Sequence, residues 1–132
     1  MNTLDVKIKS LKTSGGFSVI EFDYKGDTLC ATLIDINSSA TEFRIGDNVK
    51  IAFKETEVSI GKNLEGLISL RNRMKCIIKK IETGEALSLI TLEYKETLII
   101  SIITTGSAKR LLLKEGDKVE ALVKANEVSM FI

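Results

Sequence analysis

Short apolar stretches broken by turn residues recur along this chain, and they read mostly as strands. In the C-terminal half, Lys75 to Ile81 is an apolar run that predicts a strand. Gly84 marks a turn, and Ala86 to Tyr94 follows as a second strand with Leu87, Leu89 and Leu92 apolar. Lys95-Glu96 turns the chain into Thr97 to Thr104, which is rich in β-branched residues. Ser107 to Leu113 is the best helix candidate, with Ser107 as its cap and Ala108, Leu111 and Leu112 on one face. Gly116-Asp117 is a turn, and Val119 to Lys124 is a further strand. Zero proline in the chain suits strands that need every backbone donor.

The same order occurs earlier, with turns at Ser14-Gly15-Gly16, Lys25-Gly26-Asp27 and Gly46-Asp47. Sliding the sequence by 70 residues aligns 2–59 with 72–129 without a gap, and 15 of the 58 positions are identical, enough to read an internal duplication. Tyr24-Lys25 matches Tyr94-Lys95, Lys54 matches Lys124, and Glu57-Val58-Ser59 matches Glu127-Val128-Ser129. Strands with one small helix between the third and fourth are the order of an oligonucleotide/oligosaccharide-binding barrel. The expected fold is mostly β: two tandem barrels, each with one short helix, over 1–62 and 66–132. Gly61 to Gly66 is the expected linker, and its shortness predicts close packing of the units.

Composition narrows the function. Net charge is +1, too balanced for a nonspecific polyanion binder. Residues 1–61 carry seven basic and nine acidic side chains, a charge of −2. Residues 62–132 carry twelve and nine, a charge of +3, so an anion site is expected in the second half. There is no histidine, the commonest zinc ligand and general base, and no G-x-x-x-x-G-K-[ST] loop. The expectation is a protein that is not an enzyme and holds no metal site. Cys30 and Cys76 lie in apolar runs and read as buried free thiols. Neither a signal peptide nor a membrane span is visible, which predicts a cytoplasmic location without membrane partners.

Four motifs in the second copy then acquire a common meaning. They are Ser69-Leu70-Arg71-Asn72, Thr104-Thr105-Gly106-Ser107, Leu113-Lys114-Glu115-Gly116-Asp117 and Lys124-Ala125-Asn126-Glu127-Val128. In this order they resemble the molybdate-binding Mop (or TOBE) module, and the tandem arrangement resembles the two-module molbindins. A free-standing binding protein is the closest expectation. The resemblance implies molybdate, or tungstate, as ligand. It implies an oxyanion site from Ser69, Leu70, Arg71, Asn72, Thr104, Ser107, Lys124, Ala125 and Asn126. It also implies a homo-oligomer, with a trimer favoured and sites between subunits: Ser69 and Arg71 from one chain, Thr104, Ser107 and Lys124 from a neighbour. Leu70 departs from the family's small residue. The first copy is degenerate, with Met1 at the arginine position, Ile34 at that of Thr104 and Asn37 at that of Ser107. Asn2, Asn37 and Lys54 would form a weaker site there.

Plainer readings stand beside this one. Ser69–Asn72 also reads as a linker entering a strand, Thr104–Ser107 as a helix cap, and Lys124 as a solvated strand end. Two other functions fit the pattern: a ligand-free regulatory or oligomerisation module that binds a partner protein, and a single-stranded nucleic-acid-binding barrel. The second is disfavoured by seven aromatics, none of them in a basic strand cluster.

Overall fold

A computed structural model describes residues 1–34 and 43–131. Its ten strands, among the described residues, are β1 (Asn2–Ser14), β2 (Phe17–Tyr24), β3 (Asp27–Ile34), β4 (Asn48–Phe53), β5 (Ser59–Gly61), β6 (Asn72–Thr83), β7 (Leu87–Tyr94), β8 (Thr97–Thr104), β9 (Lys118–Val123) and β10 (Ser129–Phe131). Short 3-10 turns, Glu55–Glu57 and Ala125–Glu127, precede β5 and β10. The chain is mostly β and forms two curled sheets of the oligonucleotide/oligosaccharide-binding type.

Burial alternates along the first strand of each copy. In β1, Leu4, Val6 and Ile8 are buried while Thr3, Asp5 and Lys7 face out. β6 repeats this with Met74, Cys76 and Ile78 inside. Each first strand is long because it serves two partners. β1 pairs with β4 through Lys7 and with β2 from Lys7 onward, and its register shifts between Ile8 and Ser10. β6 shifts at the matching place, between Ile78 and Lys80. Such a one-residue shift bends a strand, which is how a five-stranded sheet curls toward closure.

The hairpin turns show what the duplication tolerates. Lys25-Gly26 has φ of 48° and 96°, the left-handed pair of a two-residue hairpin, and glycine suits the second position. In the second copy the corresponding Lys95-Glu96 has φ of 46° and 71°, so a glutamate occupies a conformation that costs a side chain free energy.

Neither sheet is made from one copy alone. Strand order is β10-β4-β1-β2-β3 in the first sheet and β5-β9-β6-β7-β8 in the second. Ser59 pairs with Leu122 and Gly61 with Glu120, so β5 leaves its own copy for the second sheet. Ser129 pairs with Ala52 and Phe131 with Lys50, so β10 returns the exchange. The Ser101 hydroxyl donates to the Val58 carbonyl (2.6 Å), tying β8 to the segment that enters β5. Residues 59–61, assigned by sequence to the first unit, thus belong by hydrogen bonding to the second barrel.

A pseudo-twofold axis relates the barrels, and one core runs through both. Tyr24 and Tyr94 stack across it with ring centroids 5.2 Å apart. Lys25 donates to the Lys95 carbonyl (2.9 Å), and Lys95 donates to that of Lys25 (3.0 Å). Both thiols are free and buried.

The single α-helix of the described residues, α1, spans Thr105–Arg110 rather than Ser107–Leu113, and its cap is Thr104. Two hydroxyl residues three positions apart both suit a cap. Thr104 wins because the Thr105 side chain is buried, bonding Ser88 (2.8 Å) and the Gly84 carbonyl (2.8 Å), which fixes where the helix begins.

Candidate functional site

The sequence-predicted residues fall in two groups. One lies where β6 begins and β9 ends. Asn72 pairs with Val123, so the antiparallel register carries Arg71 beside Lys124, with Ala125 and Asn126 next along the chain. Ser69, Arg71, Lys124 and Asn126 are exposed, and Leu70 and Ala125 are partly covered. The resemblance divides Arg71 and Lys124 between two chains. The register instead puts both on the same end of one barrel.

Asn72 belongs to this group by position but not as a donor. It is 2% exposed, and its carboxamide is fully engaged, with Cys30 of the other barrel and Val123 of its own. Oδ1 accepts from the Cys30 N–H (2.7 Å), while Nδ2 donates to the carbonyls of Cys30 (2.9 Å) and Val123 (3.0 Å). Both amide hydrogens are used, so none is left for an anion. The Asn72 side chain therefore offers no hydrogen to an oxyanion, and it fixes the backbone from which Arg71 projects.

Arg71 is not idle either. Its Nη2 donates to Oε2 of Glu21 (2.5 Å) on the outer face of β2. Oε1 of Glu21 accepts from the Ser10 hydroxyl (2.8 Å). These bonds, that from Ser10 first and that from Arg71 second, hold the Glu21 carboxyl below the usual carboxylate range. Sequence reasoning missed Glu21, because a lone acidic residue on the outer face of a strand carries no signal until the fold brings β2 against Arg71.

The second group is Thr104 and Ser107. Thr104 Oγ1 accepts the Ser107 N–H (3.1 Å) and donates to Ser107 Oγ (2.9 Å). The Ser107 hydroxyl proton therefore remains available to another acceptor. Thr104 pairs with Leu87 at the end of β8, toward the Thr83 end of β6 and away from Arg71. No hydrogen bond joins the two groups among the described residues.

Lys62, also unmarked in the sequence, ends this helical segment. It donates to the carbonyls of Leu111 (3.2 Å) and Leu112 (3.0 Å) and to Asp117 (3.0 Å). A lysine on the last free carbonyls offsets the negative end of a helix.

The first copy presents the dyad-related arrangement with its chemistry thinned. Asn2 repeats the role of Asn72, donating to the Ile100 carbonyl (2.8 Å) and accepting from its N–H (2.8 Å). Lys54 is exposed and precedes the Glu55–Glu57 turn, which packs on β8. Asn37 lies outside the described residues.

Lys54 and Lys124 make no ion pair among the described residues, and both are exposed. The whole arrangement is donor-rich and has no cluster of His, Cys, Asp and Glu suited to a metal among the described residues. No helix of the described residues is long and apolar enough to cross a membrane.

Comparison with known proteins gives this geometry a context. The family described as TOBE domain matches residues 68–130. The molybdenum import ATP-binding protein ModC of Brucella abortus (strain 2308) is 29% identical over 104 residues, covering 73% of this chain and 29% of that protein. The ModC protein of Brucella suis biovar 1 (strain 1330) matches with the same figures. The chain thus spans less than a third of the length of these curated relatives. Among solved structures, the cytoplasmic molybdate-binding protein ModG, crystallised with molybdate bound, superposes with a TM-score of 0.93 at 25% identity, covering 99% of this chain and 95% of that one. A molybdate-binding protein from Sporomusa ovata is 42% identical over 46% of this chain and 90% of its own, with a TM-score of 0.45.

Proposed function

We propose that this chain is a tandem Mop-type protein of the TOBE-domain family and that it binds molybdate, or tungstate, for storage or homeostasis in the cytoplasm. The observation that carries this is the likeness, over 99% of the chain, to a protein crystallised with molybdate. The donor set supports it. Arg71 and Lys124 bring two positive charges to one end of a barrel, and Ser107 retains a hydroxyl proton at the other end.

Molybdate at neutral pH is a tetrahedral dianion with four acceptor oxygens and no proton. It is matched by a site that offers only donors, and each hydrogen bond to a charged acceptor contributes roughly 1.5–3 kcal/mol. Phosphate is partly protonated at pH 7 and needs an acceptor for its proton; the carboxylate nearest the site, Glu21, has both oxygens engaged by Ser10 and Arg71, so phosphate is disfavoured. Sulfate offers the same acceptors, so discrimination against it rests on its smaller size alone.

The separation of Arg71 and Lys124 from Thr104 and Ser107 supports a site completed by another copy of the chain. We therefore place the sites between subunits of a homo-oligomer, with a trimer as the working stoichiometry. An anion that binds only the assembly stabilises the assembly. The role is binding rather than catalysis, and the ATP-dependent import named for the Brucella proteins is not carried over to this chain, whose sequence has no phosphate-binding loop.

Thermal denaturation with each oxyanion tests this. Molybdate and tungstate are expected to raise the melting temperature, and phosphate to leave it unchanged. Lys124→Ala and Ser107→Ala are expected to weaken binding without unfolding the chain. Equal affinity in both variants would remove the site assignment. No molybdate retained by the parent in equilibrium dialysis at micromolar concentration would remove the function.

A further inference from the structure

We propose that Glu21 is a built-in competitor for the oxyanion at the Arg71 end, setting both the affinity of that site and its preference for ligand charge. The inference rests on the oxyanion reading above and adds to it a residue from the other barrel.

Geometry carries the case. Asn72 grips the backbone of Cys30 through both its N–H and its carbonyl. Cys30 is the residue directly opposite Glu21 in the β2–β3 ladder. The clamp therefore fixes the neighbouring Arg71 over Glu21, and the guanidinium bonds the carboxylate. Ser10 holds the second carboxylate oxygen, so the group is anchored rather than free to swing away. Both partners still meet solvent, with side chains 53% and 30% exposed for Arg71 and Glu21, so a ligand can reach the pair.

The duplication supplies an internal control. At the dyad-related end, Met1 stands for Arg71, Thr91 for Glu21 and Lys80 for Ser10. The arginine, its carboxylate and the hydroxyl that anchors the carboxylate are all replaced there. The three act as one unit, present at the end whose anion motif is intact.

The consequence is electrostatic. Glu21 stays ionised near neutral pH, because the Ser10 and Arg71 bonds favour the charged form. A dianion that approaches Arg71 must share or take the guanidinium from a carboxylate at contact distance. Repulsion between like charges scales with ligand charge and is screened by salt. The native site is thus weaker for dianions than its donors alone would make it, and the handicap is smaller for a monoanion.

The test is calorimetric titration of the full chain with molybdate and with perrhenate, a tetrahedral monoanion. Glu21→Gln keeps an acceptor for Ser10 and removes the charge. Glu21→Thr copies the residue at position 91 and suits a strand if the first variant folds poorly. Molybdate is expected to bind either variant about tenfold more tightly at low ionic strength, and perrhenate about threefold, with both gains shrinking as salt rises. Unchanged or weaker molybdate binding in variants that melt like the parent would overturn the inference and assign Glu21 to positioning Arg71. An equal gain for both anions would overturn the charge preference. If the parent binds neither anion, the functional reading itself falls, which is a different result from binding without gain.

Discussion

Asn72 hydrogen-bonds both the N–H and the carbonyl of Cys30, so a side chain at the start of one barrel completes the backbone of a strand in the other. A third bond, to Val123, leaves no polar atom of this buried carboxamide unpaired. Removing it exposes the cost of three unsatisfied backbone groups. Asn72→Ala is expected to destabilise the chain by about 2–5 kcal/mol. Asn2→Ala, which loses two bonds in a less enclosed place, is expected to cost less. Urea denaturation of the two variants against the parent measures both values.

The exchange of β5 and β10 makes each barrel depend on the other. The chain is expected to unfold in one step, with far-ultraviolet circular dichroism and tyrosine fluorescence moving together. Tyr24 and Tyr94 are its only tyrosines and both lie at the dyad. Cutting the chain within 62–71 is expected to yield halves that are not folded monomers, because each lacks its fifth strand and carries an unpaired one. Mixing the two halves is expected to restore the native spectrum. A cut half that is monomeric and cooperatively folded would contradict the exchange.

The strand ladder was legible because burial follows the alternation of Leu4, Val6 and Ile8 or of Met74, Cys76 and Ile78. The pseudo-symmetry was legible because the copies align without a gap. The exchange was not. Glu57-Val58-Ser59 and Glu127-Val128-Ser129 are identical, so nothing local tells a three-residue strand which sheet to join. The candidate site was half legible. The motif placed Arg71 and Lys124, and the register brings them together. The motif also offered Asn72 as a ligand, whereas its side-chain hydrogens go to Cys30 in the other barrel and to Val123 in its own. Glu21 was invisible because its meaning arises only when the barrels pack.

Burial pushes the Cys76 thiol up to about 12 and raises that of Cys30 as well. Neither is expected to react with a thiol reagent at pH 8 in the native state, and both are expected to react in urea. A pKa raised on folding means the folded chain holds the proton more tightly. Cys76 therefore contributes stability in full below the ordinary thiol value of 9.0, and loses it as pH rises from there toward about 12. Cys76→Val copies Val6 of the first copy. It is expected to change stability by less than about 1.5 kcal/mol at pH 7 and to flatten the alkaline fall. Denaturant midpoints between pH 7 and pH 11 check this.

Thr104 tests whether the helix cap and the anion donors are one feature or two. Its Oγ1 accepts the Ser107 N–H, and its proton goes to the Ser107 hydroxyl. In Thr104→Ala both bonds disappear, and loss of the cap is expected to cost roughly 0.5–2 kcal/mol. Ser107→Ala keeps its own N–H, and therefore the cap, so its stability is expected to stay within about 0.5 kcal/mol of the parent. If the Ser107 hydroxyl meets molybdate, binding weakens in Ser107→Ala although stability does not. In Thr104→Ala it weakens together with stability, since the donor remains but is no longer oriented. Unfolding curves and molybdate titrations on the two variants separate these effects. Full affinity in Ser107→Ala, with the stability loss confined to Thr104→Ala, would reduce this end of β8 to a cap alone.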